Sequence, residues 1–254
     1  RQPGVLERQT RIIHIDIDPA EIRKNMEANI PLVADARLVL EELCETCQAT
    51  DTGMWLAELR EKQGVGAPFS DRPSFVNPHR LIAALTKALD SDAVYVADVG
   101  LNQIWSARSA NIKDGRFLTS GGMGTMGYAL PAAMGARLAT TARQVVAVMG
   151  DGGFQMSMQE LATLCQHDIP VKMAVLRNDC LGLVRQIQKQ DYAERYEAVD
   201  LAGSPDFAAL AQEYGIRAMT ISDNDEIDEA VQALLAGEKS FLLQCLVSPD
   251  EAAV

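Results

Sequence analysis

Three short apolar runs, Val94–Ala97, Val145–Met149 and Val171–Leu176, each stop at a polar or glycine-rich turn. The stretches between them carry apolar residues at helical spacing, so strands alternate with helices of about ten to twelve residues. Strands joined through a helix pair in parallel, and a parallel sheet must be covered on both faces. An α/β fold follows: a mostly parallel sheet with helices on both faces. Asn77 and Pro78 open a helix lined by Leu81, Ile82, Leu85 and Leu89. Leu130–Leu138 is a helix of small residues, and Met158, Leu161, Ala162 and Cys165 mark another. Ser204-Pro205 opens a third, with Phe207, Leu210, Ala211 and Tyr214 inward and Gly215 closing it. A strand at Ala218–Ile221, a helix to about Ala236 and a strand at Phe241–Val247 complete the series. Phe117–Ser120 reads as a poor strand.

A shorter unit precedes this one. Arg11–Asp18 reads as a strand, Pro19 as the start of a helix over Ala20–Glu27, and Ile30–Val33 as a second strand. Asp35 caps a helix over Ala36–Cys47. Gly64, Gly66, Pro68, Pro73 and Pro78 then mark a linker. The expected division is 1–63, a linker over 64–77, and 78–254. The chain opens on Arg1 rather than Met, which suggests a piece of something longer.

The formal charge of −12 and the lack of any Lys/Arg run argue against a nucleic-acid partner. No stretch reaches the roughly 20 apolar residues that span a bilayer. Five irregularly spaced cysteines make no disulfide framework and suit a reducing, cytoplasmic setting. Cys44 and Cys47 form a lone CxxC, a poor zinc site, and read as ordinary core or surface cysteines. His14, His79 and His167 read as packed or capping residues. The acidic run Asp223–Glu229 reads as a solvated helix start.

In an open α/β sheet, ligands sit beyond the carboxyl ends of the strands. Three such ends are polar: Asp98-Val99-Gly100, Gly150-Asp151-Gly152-Gly153 and Arg177-Asn178-Asp179. Asn178 follows Asp151 by 27 residues, and adjacent strands lie about 5 Å apart. The Asp151 carboxylate and the Asn178 amide oxygen are thus placed to share one small cation. Oxygen ligands suit Mg²⁺, and a backbone carbonyl such as that of Cys180 would add a third. The same residues would also serve simply as a helix cap and a turn, and the spacing leaves both readings open. Gly122-Met123-Gly124-Thr125-Met126-Gly127 spells a dinucleotide fingerprint, but that fingerprint requires a strand leading straight into it. These glycines suit any phosphorylated cofactor.

Gly150-Asp151-Gly152 with Asn178 resembles the thiamine-diphosphate motif. Thr119-Ser-Gly-Gly-Met-Gly-Thr-Met-Gly-Tyr-Ala-Leu-Pro-Ala-Ala-Met-Gly-Ala136 resembles the matching stretch of acetohydroxyacid synthase (acetolactate synthase) catalytic subunits. Ile13-His-Ile-Asp-Ile-Asp-Pro-Ala-Glu-Ile22, Val171-Lys-Met-Ala-Val-Leu176 and Gly182-Leu-Val-Arg-Gln186 resemble the same family. The resemblance implies the tail of a middle, FAD-associated domain followed by a thiamine-diphosphate-binding fold. It implies Mg²⁺ on Asp151, Asn178 and the Cys180 carbonyl, with Gly152 and Gly153 turned to the diphosphate. Met126 would be the apolar wedge that bends the cofactor, and Gly100, Asn102, Gly124, Gly150 and Leu183 would complete its site. Asp16, Ile17, Asp35 and Ala36 match positions that contact FAD.

The implied reaction decarboxylates pyruvate and joins the two-carbon unit to a second 2-keto acid, giving 2-acetolactate for branched-chain amino acid biosynthesis. Another carboligase, a 2-keto-acid decarboxylase or, less readily, an NAD-binding domain is the alternative. The implied assembly is a homodimer or tetramer, with room for a small regulatory subunit. Two departures stand out. The family's Gly-Gln-His-Gln-Met-Trp is Gly100-Leu-Asn-Gln-Ile-Trp105 here, and a family Trp of the second-substrate pocket is Ile187. No catalytic residue is expected within the chain. The activating glutamate belongs to a pyrimidine-binding domain outside it, so the chain alone should not turn over pyruvate.

Overall fold

The computed structural model describes residues 10–62, 71–140 and 143–253. The chain divides into two compact units, Arg1–Ala67 and Pro68–Val254.

The first unit holds β1 (Ile13–Asp16), β2 (Ile30–Val33), α1 (Ala36–Thr46) and α2 (Gly53–Lys62), with β1 and β2 paired in parallel. The Asp35 carboxylate caps α1 as expected, accepting from the Arg37 and Leu38 N–H groups. The helix expected over Ala20–Glu27 does not form, and turns occupy its place. The Asp18 carboxylate accepts from the Ala20 N–H, an Asx turn that competes with the first helical turn. Arg23 then takes a left-handed backbone (φ 65°). The sequence reading also missed α2, whose apolar residues have no strong helical stripe. Of the linker expected over 64–77, residues 64–70 lie outside the described residues; Val76 is buried in the second unit's core.

The second unit runs α3 (Pro78–Ala88), β3 (Val94–Ala97), α4 (Leu101–Ser109), β4 (Arg116–Thr119), α5 (Ala129–Ala139), β5 (Val145–Gly150), α6 (Asp151–Gln155), α7 (Glu160–Gln166) and β6 (Lys172–Arg177). It continues with α8 (Gly182–Asp191), α9 (Phe207–Glu213), β7 (Arg217–Ile221), α10 (Ile227–Leu235) and β8 (Phe241–Leu246). Six strands pair in parallel in the order β4-β3-β5-β6-β8-β7. Alternate strand residues face two cores. Tyr95, Val146, Ala174 and Leu243 meet α3, α4 and α10 on one face. Val96, Ala147, Met173 and Leu242 meet α5, α7 and α9 on the other. This is the expected two-sided packing.

Two details correct the sequence reading. Phe117, Leu118 and Thr119 of that run lie in a genuine strand, β4, in register with β3. An edge strand needs only one partner, and the Phe117 ring stacks on Tyr95 with centroids 5.5 Å apart. The helix expected from Ser204 starts at Phe207, because Asp206 supplies the cap, and Tyr214 lies exposed beyond its end.

The sheet changes direction at β3. Its connection through α4 leads to β4 on one side; β4 then returns through α5 on the opposite face to β5, on β3's other side. Connections diverging from neighbouring strands open a crevice at the carboxyl ends of β3 and β5.

Candidate functional site

A cavity of about 180 Å³ occupies that crevice. Its walls come from the three polar strand ends picked out in the sequence, the glycine-rich loop before α5, and the start of α8. Gly100, Asn102, Gly124, Met126, Gly150, Asp151, Gly152, Gly153, Asn178, Cys180 and Leu183 all line it. Of the residues expected there, Ile187 does not. It lies in α8, 44% exposed, three residues beyond the lining residue Val184 and on the same helical face.

Asp151 follows directly on β5 and is buried. One carboxylate oxygen accepts from its neighbour, the Gly152 N–H (2.9 Å). The other accepts from the Asn178 (3.1 Å) and Asp179 (2.7 Å) N–H groups at the end of β6. Burial pushes the carboxyl up to about 6, against the pull of these hydrogen bonds and with a smaller push from Asp179. Among the described residues no Lys or Arg pairs with it. A buried carboxylate without a counter-charge suits a bound cation.

The Asn178 amide oxygen accepts from the Cys180 N–H (3.3 Å), which turns Asn178 back over its own loop. Cys180 makes an antiparallel bridge with Asp200, flanked by Leu181 N–H to Val199 O (2.7 Å) and Leu201 N–H to Asp179 O (2.9 Å). In that pattern the bridged residue turns its own N–H and C=O away from its partner. The Cys180 carbonyl thus faces the same side as its N–H, toward Asn178. Asp151, Asn178 and Cys180 line the same cavity and bring to it a carboxylate, an amide oxygen and a backbone carbonyl, donors of the type a hard cation takes. Among the described residues no three His, Cys, Asp or Glu side chains make a metal cluster; the oxygens here come mainly from an amide and the backbone.

Several close approaches exclude side chains. A Cβ on Gly152 would stand 2.7 Å from Leu181 Cδ2 and 3.2 Å from Met126 Cε, so Met126 lies over Gly152. A Cβ on Gly182 would stand 2.5 Å from Leu101 Cδ1 and 2.7 Å from Asn178 Nδ2. Gly182, Leu181 and Val184 were not singled out as cofactor contacts from the sequence. Gly182 and Val184 carried a signal, within the Gly182–Gln186 run; Leu181 carried none.

Gly152 differs from the expectation that its N–H is turned to the diphosphate, and Asn102 lines the cavity with its amide bound to backbone. The Asn102 amide donates to the main-chain oxygens of Asp98 (2.8 Å) and Val148 (3.2 Å), stitching β3 to β5 at the crevice. Its hydrogens are therefore committed. The Gly152 N–H is turned to Asp151, leaving Gly153 as the glycine donor in this turn. Cys180, also buried, has its thiol pushed up to about 11 by burial, the nearby Asp151 charge adding to it. It is an inert wall rather than a nucleophile.

The positions expected at FAD lie in the first unit. Asp16 ends β1, and Ile17 follows it, largely exposed; Asp35 and Ala36 follow β2. Because the two strands are parallel, both pairs sit at the same carboxyl edge.

Comparison with known proteins accords with this geometry. The thiamine pyrophosphate enzyme C-terminal TPP binding domain matches residues 98–245, and the thiamine pyrophosphate enzyme central domain matches residues 2–43. The chain is 40% identical over 257 residues to a probable acetolactate synthase large subunit of Methanocaldococcus jannaschii, covering 96% of this chain and 43% of that protein. It is 38% identical over 251 residues to an acetolactate synthase of Arthrospira platensis, covering 95% and 43%. It is 39% identical over 258 residues to an acetolactate synthase of Mycobacterium bovis, covering 95% and 41%. The chain thus spans less than half the length of these relatives.

Proposed function

Because this chain belongs to the thiamine pyrophosphate enzymes, we propose that its crevice binds the diphosphate end of thiamine diphosphate through Mg²⁺, as part of an acetolactate synthase. The observation that carries the reading is the buried Asp151 carboxylate, without a Lys or Arg partner among the described residues and beside a cavity lined in part by Gly100, Gly124, Gly150, Gly152, Gly153 and Gly182. When bound, thiamine diphosphate supplies the carbon nucleophile and electron sink for decarboxylating a 2-keto acid.

The residues of this chain hold and orient. Asp151, the Asn178 amide oxygen and the Cys180 carbonyl would hold Mg²⁺, which would offset the charge of the diphosphate. Gly153 donates a backbone N–H, while Gly100, Gly124, Gly150 and Gly152 keep the approach open. Asn102 contributes through its grip on the two strand ends. Met126 and Leu183 present apolar surface to the cofactor's rings, which fixes their mutual orientation and keeps water from the reacting face.

In the complete enzyme the substrates are pyruvate and a second 2-keto acid, and the product is 2-acetolactate. Ile187, beyond Val184 on α8, borders the acceptor pocket and offers less planar surface than Trp. The parent is therefore expected to favour 2-ketobutyrate less strongly than relatives with Trp there. A methylene is worth about 1–3 kcal/mol in such a choice. Asp16, Ile17, Asp35 and Ala36, at one carboxyl edge of β1 and β2, fit an FAD contact in the whole protein. The activating glutamate comes from a pyrimidine-binding domain, supplied within a homodimer or tetramer in the cytoplasm. A small regulatory subunit is compatible with that assembly.

The test is calorimetry on this chain. Thiamine diphosphate is expected to bind only with Mg²⁺, and Asp151→Asn to abolish that Mg²⁺-dependent binding. Mg²⁺-independent binding, or binding unchanged in Asp151→Asn, would overturn the reading. The chain alone is expected to leave pyruvate unchanged, whereas the full-length protein forms 2-acetolactate.

A further inference from the structure

We propose that Asp98 is a positioning residue for the ring end of the cofactor: it fixes the peptide that carries Met126 and so holds the cleft's apolar wedge in place. This rests on the cofactor reading above and extends it to a residue with no assigned part in the site.

Asp98 follows β3 and is fully buried. Its Oδ1 accepts from the Val99 (2.7 Å) and Gly127 (3.0 Å) N–H groups, and its Oδ2 from the Ala129 N–H (2.9 Å). The Gly127 N–H belongs to the peptide whose carbonyl is that of Met126, so the carboxylate grips the backbone right beside the wedge. There is no slack around it. A Cβ on Gly153 would stand 2.8 Å from Asp98 Oδ1, and one on Gly127 would stand 2.9 Å from the Met156 Cβ.

The rest of the loop lacks this anchorage. Gly124 and Thr125 donate only to Ser120 within the loop, Met123 is 90% exposed, and a Cβ on Gly121, Gly122 or Gly124 would meet nothing. Among the described residues, the hydrogen bonds to Asp98 are those that tie the end of this loop to the sheet. A carboxylate can take all three donors at once. An asparagine has one acceptor oxygen and would oppose a backbone N–H with its own amide hydrogens.

A plain helix cap for α5 would make the same contacts, so the test separates the two roles by ligand. Pyrophosphate with Mg²⁺ engages only the metal and glycine groups; thiamine diphosphate also engages the wedge. In calorimetry on this chain, Asp98→Asn should weaken thiamine diphosphate about tenfold while leaving Mg²⁺-pyrophosphate within about twofold. Met126→Ala should show the same selective loss, and the double variant should add little to either.

Equal losses on both ligands, no loss on either, or fully additive variants would overturn the inference while leaving the cofactor reading intact. Failure of the wild-type chain to bind either ligand with Mg²⁺ would overturn both. Should Asp98→Asn not fold, Met126→Ala and amide exchange on the wild type decide the matter. Gly127 and Ala129 amides should exchange at least about tenfold more slowly than that of Met123. Equal rates, or unselective loss in Met126→Ala, would overturn the inference.

Discussion

Single residues in this chain carry consequences out of proportion to their size. Gly182 has no room for a methyl group between Leu101 and Asn178, both buried. Gly182→Ala is expected to displace the Asn178 amide and lower Mg²⁺-dependent pyrophosphate affinity at least about tenfold, with about 1–3 kcal/mol of overpacking cost in urea unfolding. His79 acts at a distance from the cleft. Burial, with the Arg108 charge adding to it, lowers its pKa to about 4, and its Nδ1 meets the Ser109 hydroxyl at 2.7 Å. The unfolded chain therefore takes up the proton before the folded one does. Stability is fully present above about pH 6.5 and falls as pH drops toward 4, by on the order of 3 kcal/mol at most. Between pH 7 and 5 the urea midpoint should fall further in the wild type than in His79→Gln, the raised Asp151 carboxyl acting in the opposite sense in both. Asp151, Asn178 and the glycines were legible because a strand end displays polar residues in a fixed place. The roles of Asn102 and Asp98 were not, because donors and acceptors supplied by distant backbone leave no pattern in the local sequence.

At the level of elements, β4 is the informative case. It has two apolar residues, Phe117 and Leu118, too few to announce a strand, and it exists because β3 offers an edge and Tyr95 a ring to stack on. Gly115, just before it, lets the two chains meet closely: a Cβ there would lie 2.1 Å from the Ala93 carbonyl oxygen. The obstacle is backbone, so it cannot rotate away. Gly115→Ala should destabilise the second unit by about 1–3 kcal/mol or more, measured by the thermal midpoint, while Gly135→Ala, whose Cβ meets nothing, should not lower it. The absent helix at Ala20–Glu27 teaches the converse. Pro19 is a good opening residue, but Asp18 offers the backbone a turn, and helical propensity alone does not outweigh that local bond.

Across the whole chain the two units differ in kind. The second buries two continuous cores, whereas in the first Ala28 is the only buried apolar residue among those described. Leu38 and Trp55 are 63% and 61% exposed, and α1 buries nothing. A unit with so little interior should open readily by itself. Limited proteolysis is expected to remove β1 to α2 and leave the second unit, α3 to β8, intact, with a urea midpoint close to that of the intact chain. Coincident loss of both units would contradict this. The strand order has a last consequence, one of timing. β8 is the latest strand in the chain, yet it lies between β6 and β7. As the polypeptide leaves the ribosome, β7 has no neighbour to join and β6 presents a bare edge until Phe241–Leu246 arrives. The sheet cannot be assembled strand by strand as it is made. It must wait, open on one side, for its final piece, and a nascent chain stalled before Phe241 would be the form most exposed to pairing with another copy of itself.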